Sequence, residues 1–319
     1  MKTIKIGLLG LGNIGTGTYK TLEMNRSEIE STLNAKVEIV KILERDTERD
    51  RGITVPKEKF TSDPDEIFQD PEIDIVIELL GGIEPATTFM LSALKNGKHV
   101  VTANKAALAA NYHELINTAK ENNVILRFEA SVGGGIPILG TLTGPLRANK
   151  FEEVMGILNG TTNYILTMMT KEGLDYETAL KDAQEQGFAE ADPTADVEGI
   201  DAANKLTILM ALMFDKYVAP KDIPTTGITE ITKEKIEEAR SNGCKIKLIA
   251  HAWRDENDEI KYEVRPMYIS ATHPLANINK EFNAVFVKGN AVDDVMFYGK
   301  GAGPLPTGSA VLGDVIDIS

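Results

Sequence analysis

The chain of 319 residues has a single cysteine, Cys244, one tryptophan, four histidines and only 6% aromatic residues. One thiol cannot close an intramolecular disulfide, which excludes a disulfide scaffold and suits a reducing, cytoplasmic compartment. Cys244 lies between a Lys/Glu-rich helical pattern and an apolar strand pattern, with no histidine motif beside it, so a packing role is expected. The histidines are scattered, which argues against a zinc site. Positive charge is also short, with 34 Lys and Arg against 48 Asp and Glu and a net charge of −14. A polyanion is a poor ligand for nucleic acid and for anionic membranes, so neither partner is expected. No window reaches the roughly 18 apolar residues of a membrane span. The opening MKTIKIGLLG lacks the long apolar region and small-residue cleavage site of a secretory signal.

What is present is an ordinary globular composition, 42% hydrophobic and 26% charged, in a chain long enough for two domains. Up to about residue 130, short apolar runs alternate with helical patterns. The strands predicted are Thr3–Leu9, Val37–Leu43, Asp74–Leu80, Lys98–Thr102 and Val124–Ala130. Helices are expected from Ile14 to about Leu33, from about Ala86 to Lys95, and in two pieces up to Asn122. That alternation specifies βαβ units on a parallel sheet. The rhythm changes at Gly133-Gly134-Gly135. A strand at about Glu153–Leu158 and two helices follow, then an acidic stretch and an apolar helix. Lys245–Trp253 and Ile260–Tyr268 then flank a polar turn, an antiparallel hairpin. The expected organisation is a Rossmann-type parallel domain over 1–133, to which about 305–319 returns, and an α+β catalytic and dimerisation domain over 134–304.

GLGNIG follows the first strand and opens the first helix, with Gly10, Gly12 and Gly15 in the G-x-G-x-x-G order. In that setting Gly10 permits the tight turn, Gly12 the approach of a pyrophosphate and Gly15 close helix packing. The helix start, with Asn13 and Ile14, offers N–H groups and a positive dipole to phosphates. A tight βα turn without ligand is the alternative. The second strand ends in Glu44-Arg45. An acid there holds ribose hydroxyls and favours NAD, whereas an arginine holds a 2′-phosphate and favours NADP. The pair leans to NADP through Arg45, or else both residues merely solvate the strand end. ELLGG and TANK end two further strands on the side where doubly wound sheets bind ligands, which leaves Lys105 as either a site amine or a surface charge.

EADPTADVEGIDAANKL, residues 190–206, places five acids ahead of Lys205, and TILMALMF then continues the helix. Leu206–Phe214 is apolar almost all round, so the helix is expected to be buried. Asp201 and Lys205 are one turn apart on one face. Burial lowers a lysine's pKa and a neighbouring carboxylate raises it, so the direction of any shift is open. Read alone, this is as well explained by capping and a surface ion pair. Asn159-Gly160-Thr161-Thr162-Asn163 follows a strand and opens a helix. Thr161 or Thr162 suits a cap, and Thr162 either only caps or also faces a substrate.

In order, GLGNIG, ELLGG, VVTANKAAL, EASVGGGIPI, GILNGTTNYIL, GFAEADPTADVEGIDAANKLTIL, GKGAG and PTGSAV resemble the homoserine dehydrogenase family over nearly the whole chain. The resemblance implies reversible reduction of L-aspartate 4-semialdehyde to L-homoserine with NADPH or NADH, on the route to threonine, isoleucine and methionine. By motif, Lys205 becomes the proton donor and Lys105 a second active-site lysine. Glu190 and Asp201 hold the substrate. Asp192, Asp196 and Glu198 suit capping or loop shaping, and Asp196 is the one of the three expected to touch the site. Gly187 and Gly303 line the cofactor site. The EASVGGGI segment resembles the family's turn for a structural sodium ion, which implies backbone oxygens of Glu129, Val132, Gly134 and Ile136 as ligands. The resemblance also implies a homodimer. The family often carries a C-terminal regulatory ACT domain; the sequence stops at Ser319, so feedback by threonine through such a domain is not expected. Two other readings are another two-domain amino-acid or semialdehyde dehydrogenase, whose phosphorylating kind needs a nucleophilic cysteine that Cys244 does not suit, and a nicotinamide-binding sensor, which has no use for Glu190, Asp201 and Lys205.

Overall fold

The computed structural model describes residues 2–319. The chain forms two compact units, one running up to Gly135 and completed by Ala302–Ser319, the other comprising Ile136–Gly301.

In the first unit six strands, β1 (Lys2–Leu9), β2 (Ala35–Leu43), β3 (Phe60–Thr61), β4 (Ile75–Glu78), β5 (His99–Thr102) and β6 (Leu126–Arg127), form one sheet in the order β3-β2-β1-β4-β5-β6. All five pairings are parallel. The strand order reverses between β1 and β4, the switch point outside which doubly wound sheets bind their ligands. The central strands are apolar on both faces because helices cover both. Ile6, Leu8, Val37, Ile39, Ile75 and Ile77 on one face and Leu9 and Val76 on the other are all buried, and burial of each large aliphatic side chain stabilises the fold by about 1.5–3 kcal/mol.

The elements of this unit depart in places from the pattern read in the sequence, and the short helix Asp65–Phe68 has no counterpart in it. The helix expected over 14–33 is two, Asn13–Met24 and Arg26–Leu33, divided at Asn25. Asn25 donates its N–H back to Thr21 O and accepts from Ile29 N, ending one helix and starting the next. The strand expected over 124–130 is only β6, because Phe128 O accepts from Ser131 N in a single tight turn over Glu129–Ser131 and Glu129 N bonds Asp314. β3 has only two residues, too few to carry a period.

The second unit is built on an antiparallel sheet of β7 (Phe151–Ile157), β8 (Cys244–Arg254), β9 (Ile260–Ser270), β10 (Phe282–Gly289) and β11 (Asp293–Lys300), ordered β11-β10-β7-β8-β9. The β8–β9 hairpin pairs Cys244 with Ser270 through to Arg254 with Ile260. Its polar turn is closed by Asp255 Oδ1, which accepts from Asn257 N and Glu259 N. Helices Gly160–Glu172 and Ile200–Phe214 pack on this sheet. Cys244 begins β8, half-buried, in keeping with a packing role. Among the described residues no helix is long and apolar enough to cross a membrane.

Candidate active site

Each unit carries its own group of polar residues. In the second unit the group forms where helices Gly160–Glu172 and Ile200–Phe214 begin. Lys205 and Asp201 are both buried. The Lys205 ammonium donates to Asp201 Oδ2 at 2.7 Å and to Leu158 O at 2.5 Å. Two acceptors thus hold the nitrogen in one place, and the carboxylate balances its charge where water is largely excluded. Asn159 caps helix Gly160–Glu172, its Oδ1 accepting from Thr162 N at 2.9 Å. Its Nδ2 has two hydrogens, given to Asp196 Oδ1 at 2.6 Å and Asp201 Oδ2 at 2.9 Å. Thr161 Oγ1 lies 3.1 Å from Asp196 Oδ2. One amide therefore aligns two carboxylates with the lysine.

The structure brings Lys205, Asp201 and Asp196 together. Asn159, rather than either threonine, supplies the cap, and Asn immediately before a helical pattern is the signal that identifies it. Thr162 is buried, its hydroxyl donating to Asn159 O at 3.2 Å. Glu190 is exposed, its carbonyl accepting from Gln184 Nε2. Asp192 caps the next turn, accepting from Thr194 N and Oγ1. Gly187 follows helix Tyr176–Glu185 with a left-handed φ of 76°.

In the first unit, Gly10 turns with φ +91°, and a Cβ on it would lie 3.0 Å from Leu79 O. A Cβ on Gly15 would overlap Gly10 O at 2.2 Å, so only glycine lets helix Asn13–Met24 start so close to β1. A Cβ on Gly12 meets nothing within 4 Å, so the backbone faces open space on the side where such turns receive a phosphate. No side chain caps this helix and no acid lies in its first turn. Amides of Asn13, Ile14 and Gly15 therefore form an anion-binding end, and the turn fits a pyrophosphate.

Glu44 at the end of β2 is turned inward. Its carboxylate accepts from Leu11 N at 3.0 Å, Arg45 N at 2.8 Å and Asp46 N at 3.1 Å, with Arg51 Nη2 3.3 Å away. Burial pushes this carboxyl up, but those amides and the Arg51 guanidinium outweigh it and hold it below the usual range. Arg51, not singled out in the sequence, also donates to the carbonyls of Leu11, Arg49 and Asp46. Nothing in its local pattern distinguishes it from other arginines of a polar loop. Arg45 is exposed beside this clamp. Lys105 opens helix Lys105–Ala110, half-buried, behind Asn104, whose Oδ1 accepts from Ala107 N at 3.1 Å. Gly303 precedes helix Pro304–Ile318 with φ +118°.

The Glu129–Ser131 turn leads to Val132 in an extended conformation and to Gly133 and Gly134, both left-handed. Among the described residues no group of three or more His, Cys, Asp or Glu side chains is placed to hold a metal. A cation here would rest on backbone oxygens, a donor set that suits a hard ion; of these, Glu129 O also accepts from Val132 N at 3.3 Å.

Two family models match the chain, one described as homoserine dehydrogenase over residues 137–316 and one as homoserine dehydrogenase, NAD binding domain, over residues 10–129. A homoserine dehydrogenase of Bacillus subtilis is 45% identical over 318 residues, covering 100% of this chain and 73% of its own. The crystal structure of a homoserine dehydrogenase from Thiobacillus denitrificans superposes with a TM-score of 0.96 at 43% identity, covering 100% of this chain and 73% of its own. A hyperthermophilic archaeal homoserine dehydrogenase solved in complex with NADPH superposes with a TM-score of 0.83 at 26% identity, over 99% of this chain and 97% of its own.

Proposed function

This chain belongs to the homoserine dehydrogenase family, and on that premise we propose how its residues divide the reaction. The reaction is the NAD(P)H-dependent, reversible reduction of L-aspartate 4-semialdehyde to L-homoserine. When bound, the reduced nicotinamide supplies the hydride that goes to the aldehyde carbon. Lys205 gives a proton to the aldehyde oxygen as it becomes an alkoxide, and its neutral amine takes that proton back in the oxidative direction. Asp201 keeps the ammonium aimed, and Asn159 keeps Asp201 and Asp196 aligned. Glu190 and Asp201 meet the α-amino group of the substrate, with Asp196 and Thr162 on the same wall. Lys105 serves as the second active-site lysine. The glycine-rich turn with Asn13 and Ile14 holds the pyrophosphate, and Gly187 and Gly303 flank the cofactor. In this reading the first unit is the nucleotide-binding domain and the second the catalytic and dimerisation domain of a cytoplasmic enzyme in threonine, isoleucine and methionine synthesis.

The observation that carries this reading is the buried Lys205–Asp201 pair, held by Leu158 O and Asn159. L-Homoserine with NADP or NAD at alkaline pH should reduce the cofactor. Lys205→Ala should lose about 10²–10⁴-fold in kcat while still binding cofactor; full activity in that variant would remove Lys205 from the role.

NADP is the preferred cofactor in this proposal. The Glu44 oxygens are engaged by three amides and Arg51, which leaves little capacity to accept from ribose hydroxyls, and Arg45 is available for a 2′-phosphate. The NADPH complex of the archaeal relative supports the same choice. The assay above ranks the two cofactors, and a higher kcat/KM with NAD would reverse the preference. A structural sodium ion on the carbonyls of Glu129, Val132, Gly134 and Ile136 completes the proposal. Replacing sodium by choline at constant ionic strength should lower the urea midpoint, and an unchanged midpoint would argue against the ion.

A further inference from the structure

Glu78 is the last residue of β4 and is completely buried. It stands opposite Leu9 of β1 and Thr102 of β5 in the register of the sheet. Its position is the carboxyl end of the central parallel strands, the side at which such sheets bind ligands. A buried carboxyl group is expensive, and an apolar residue of similar size would fill the space without that cost. What the carboxyl does instead is organise two loops. Its Oε1 accepts from Leu80 N at 2.7 Å, and its Oε2 accepts from Thr102 Oγ1 at 2.7 Å. Thr102 Oγ1 in turn accepts from Asn104 N at 2.9 Å. Asn104 closes the circuit by donating its Nδ2 to Gly82 O at 2.7 Å, while its Oδ1 caps the helix that starts at Lys105.

The ring of bonds thus runs from Glu78 to the Leu80–Gly82 turn, across to Asn104, through Thr102 and back to Glu78. The bonds among Glu78, Thr102 and Asn104 are buried, where geometry is held tightly and an unmade bond is costly, and those to Leu80 and Gly82 are half-buried. Lys105 is the next residue along the chain from this ring. We propose that Glu78 is a positioning residue for Lys105, setting where the helix carrying that lysine begins relative to the Leu80–Gly82 turn. The inference rests on the reading of Lys105 as an active-site residue. Burial pushes the Glu78 carboxyl up, only partly offset by donors from Thr102, Leu80, Asn104 and Gly81, as expected of a group kept for its bonds rather than for its charge.

Three substitutions separate the parts. Glu78→Gln keeps the volume and the acceptor for Leu80 N, but it puts an N–H donor where Oε2 accepted, so the Thr102 O–H loses its acceptor. Thr102→Val keeps the volume and removes both of that oxygen's bonds, and Thr102→Ser restores the hydroxyl. Each is made with and without Lys105→Ala. kcat and KM for L-homoserine are measured together with the Kd for NADPH by fluorescence, and folding is checked by circular dichroism. With Lys105 present, Glu78→Gln and Thr102→Val should lower kcat by about 10–100-fold, in the range expected when a site group is displaced by an ångström or less. The Kd for NADPH should change little, and Thr102→Ser should recover most of the loss. With Lys105 already replaced, the same substitutions should cost less than about twofold. An equal loss in both backgrounds, or full kcat in folded Glu78→Gln and Thr102→Val, would overturn the proposal while leaving Lys105 in place. Full activity in Lys105→Ala alone would instead remove the reading of Lys105, and the role of Glu78 with it.

Discussion

Lys205 and Lys247 are both buried lysines of the second unit, and their surroundings set them different tasks. Lys205 has a carboxylate at 2.7 Å. The Lys247 ammonium has Asn163 Oδ1 at 2.8 Å and the carbonyl of Ile278. Burial, with the Lys245 and Lys171 charges adding to it, pushes Lys247 down to about 7. The folded protein therefore holds this amine neutral above about pH 7, while the unfolded chain keeps it charged up to about pH 10.5. The unfolded state binds more protons across that window, so stability should rise with pH between those values. The full contribution of this one group is on the order of 3–5 kcal/mol. Lys247→Met removes the titration and leaves two acceptors without their donor, a loss of about 1–3 kcal/mol. The urea midpoint of the wild type, measured between about pH 7 and pH 10, should gain on that of the variant as pH rises. Parallel curves would show that Lys247 keeps an ordinary pKa. At this scale the sequence revealed residue types and spacing: Asp201 and Lys205 one turn apart, and the glycines of the first turn. It did not reveal that Asn159 bonds two acids 37 and 42 residues away, or that Glu44 and Arg51 clamp Leu11.

Helix Pro304–Ile318 belongs to the first unit although its sequence follows the second, and small residues are what seat it against helix Asn13–Met24. A Cβ on Gly17 would lie 2.2 Å from Pro304 O, and one on Gly308 would lie 2.7 Å from Thr18 N. The obstructing atoms are backbone, so neither helix can yield without moving as a whole. Gly→Ala in an exposed helix gains up to about 1 kcal/mol. Overpacking typically costs about 1–3 kcal/mol, and with backbone on the far side it should win. Gly17→Ala and Gly308→Ala are each expected to lower the urea midpoint, by an amount equivalent to about 1–3 kcal/mol. An unchanged or raised midpoint would mean that the helices sit further apart than described. The alternating strands and helices of the first unit and the β8–β9 hairpin were readable from hydrophobic period and turn residues. β10 and β11 were not. β10 is buried on both faces over most of its length and so has no period of two, and β11 is an edge strand that opens on two acids.

Over the whole molecule, the proposed homodimer is tested on the five-stranded sheet. Met296 and Tyr298 of β11 are 40% and 53% exposed. They pair with Phe286 and Ala284 of β10, which belong to an apolar cluster that also contains Met155, Ile157 and Ile249. Cross-strand partners share a face, so apolar surface continues from the cluster to the sheet edge, where a second copy would bury it. Sedimentation velocity should give a dimer for the wild type. The double substitution Met296→Glu and Tyr298→Glu should shift it toward monomer at micromolar concentration. A monomeric wild type would end the proposal. The net charge of −14 adds repulsion between copies, so added salt should favour association through this apolar face.

The sequence by itself determined the class of fold, the glycine-rich phosphate turn and the lysine-bearing apolar helix, because each is a local pattern of period, turn residue or one-turn spacing. The tertiary structure alone decided which distant groups meet. It set Asn159 between Asp196 and Asp201, turned Glu44 inward onto Leu11 and Arg51, and closed the ring from Glu78 through Thr102 and Asn104 to Gly82. These contacts depend on the path of the chain through space. Hydrophobic patterning selects which face of an element is buried, but it does not specify which polar groups, tens of residues apart, must satisfy one another once water has been removed.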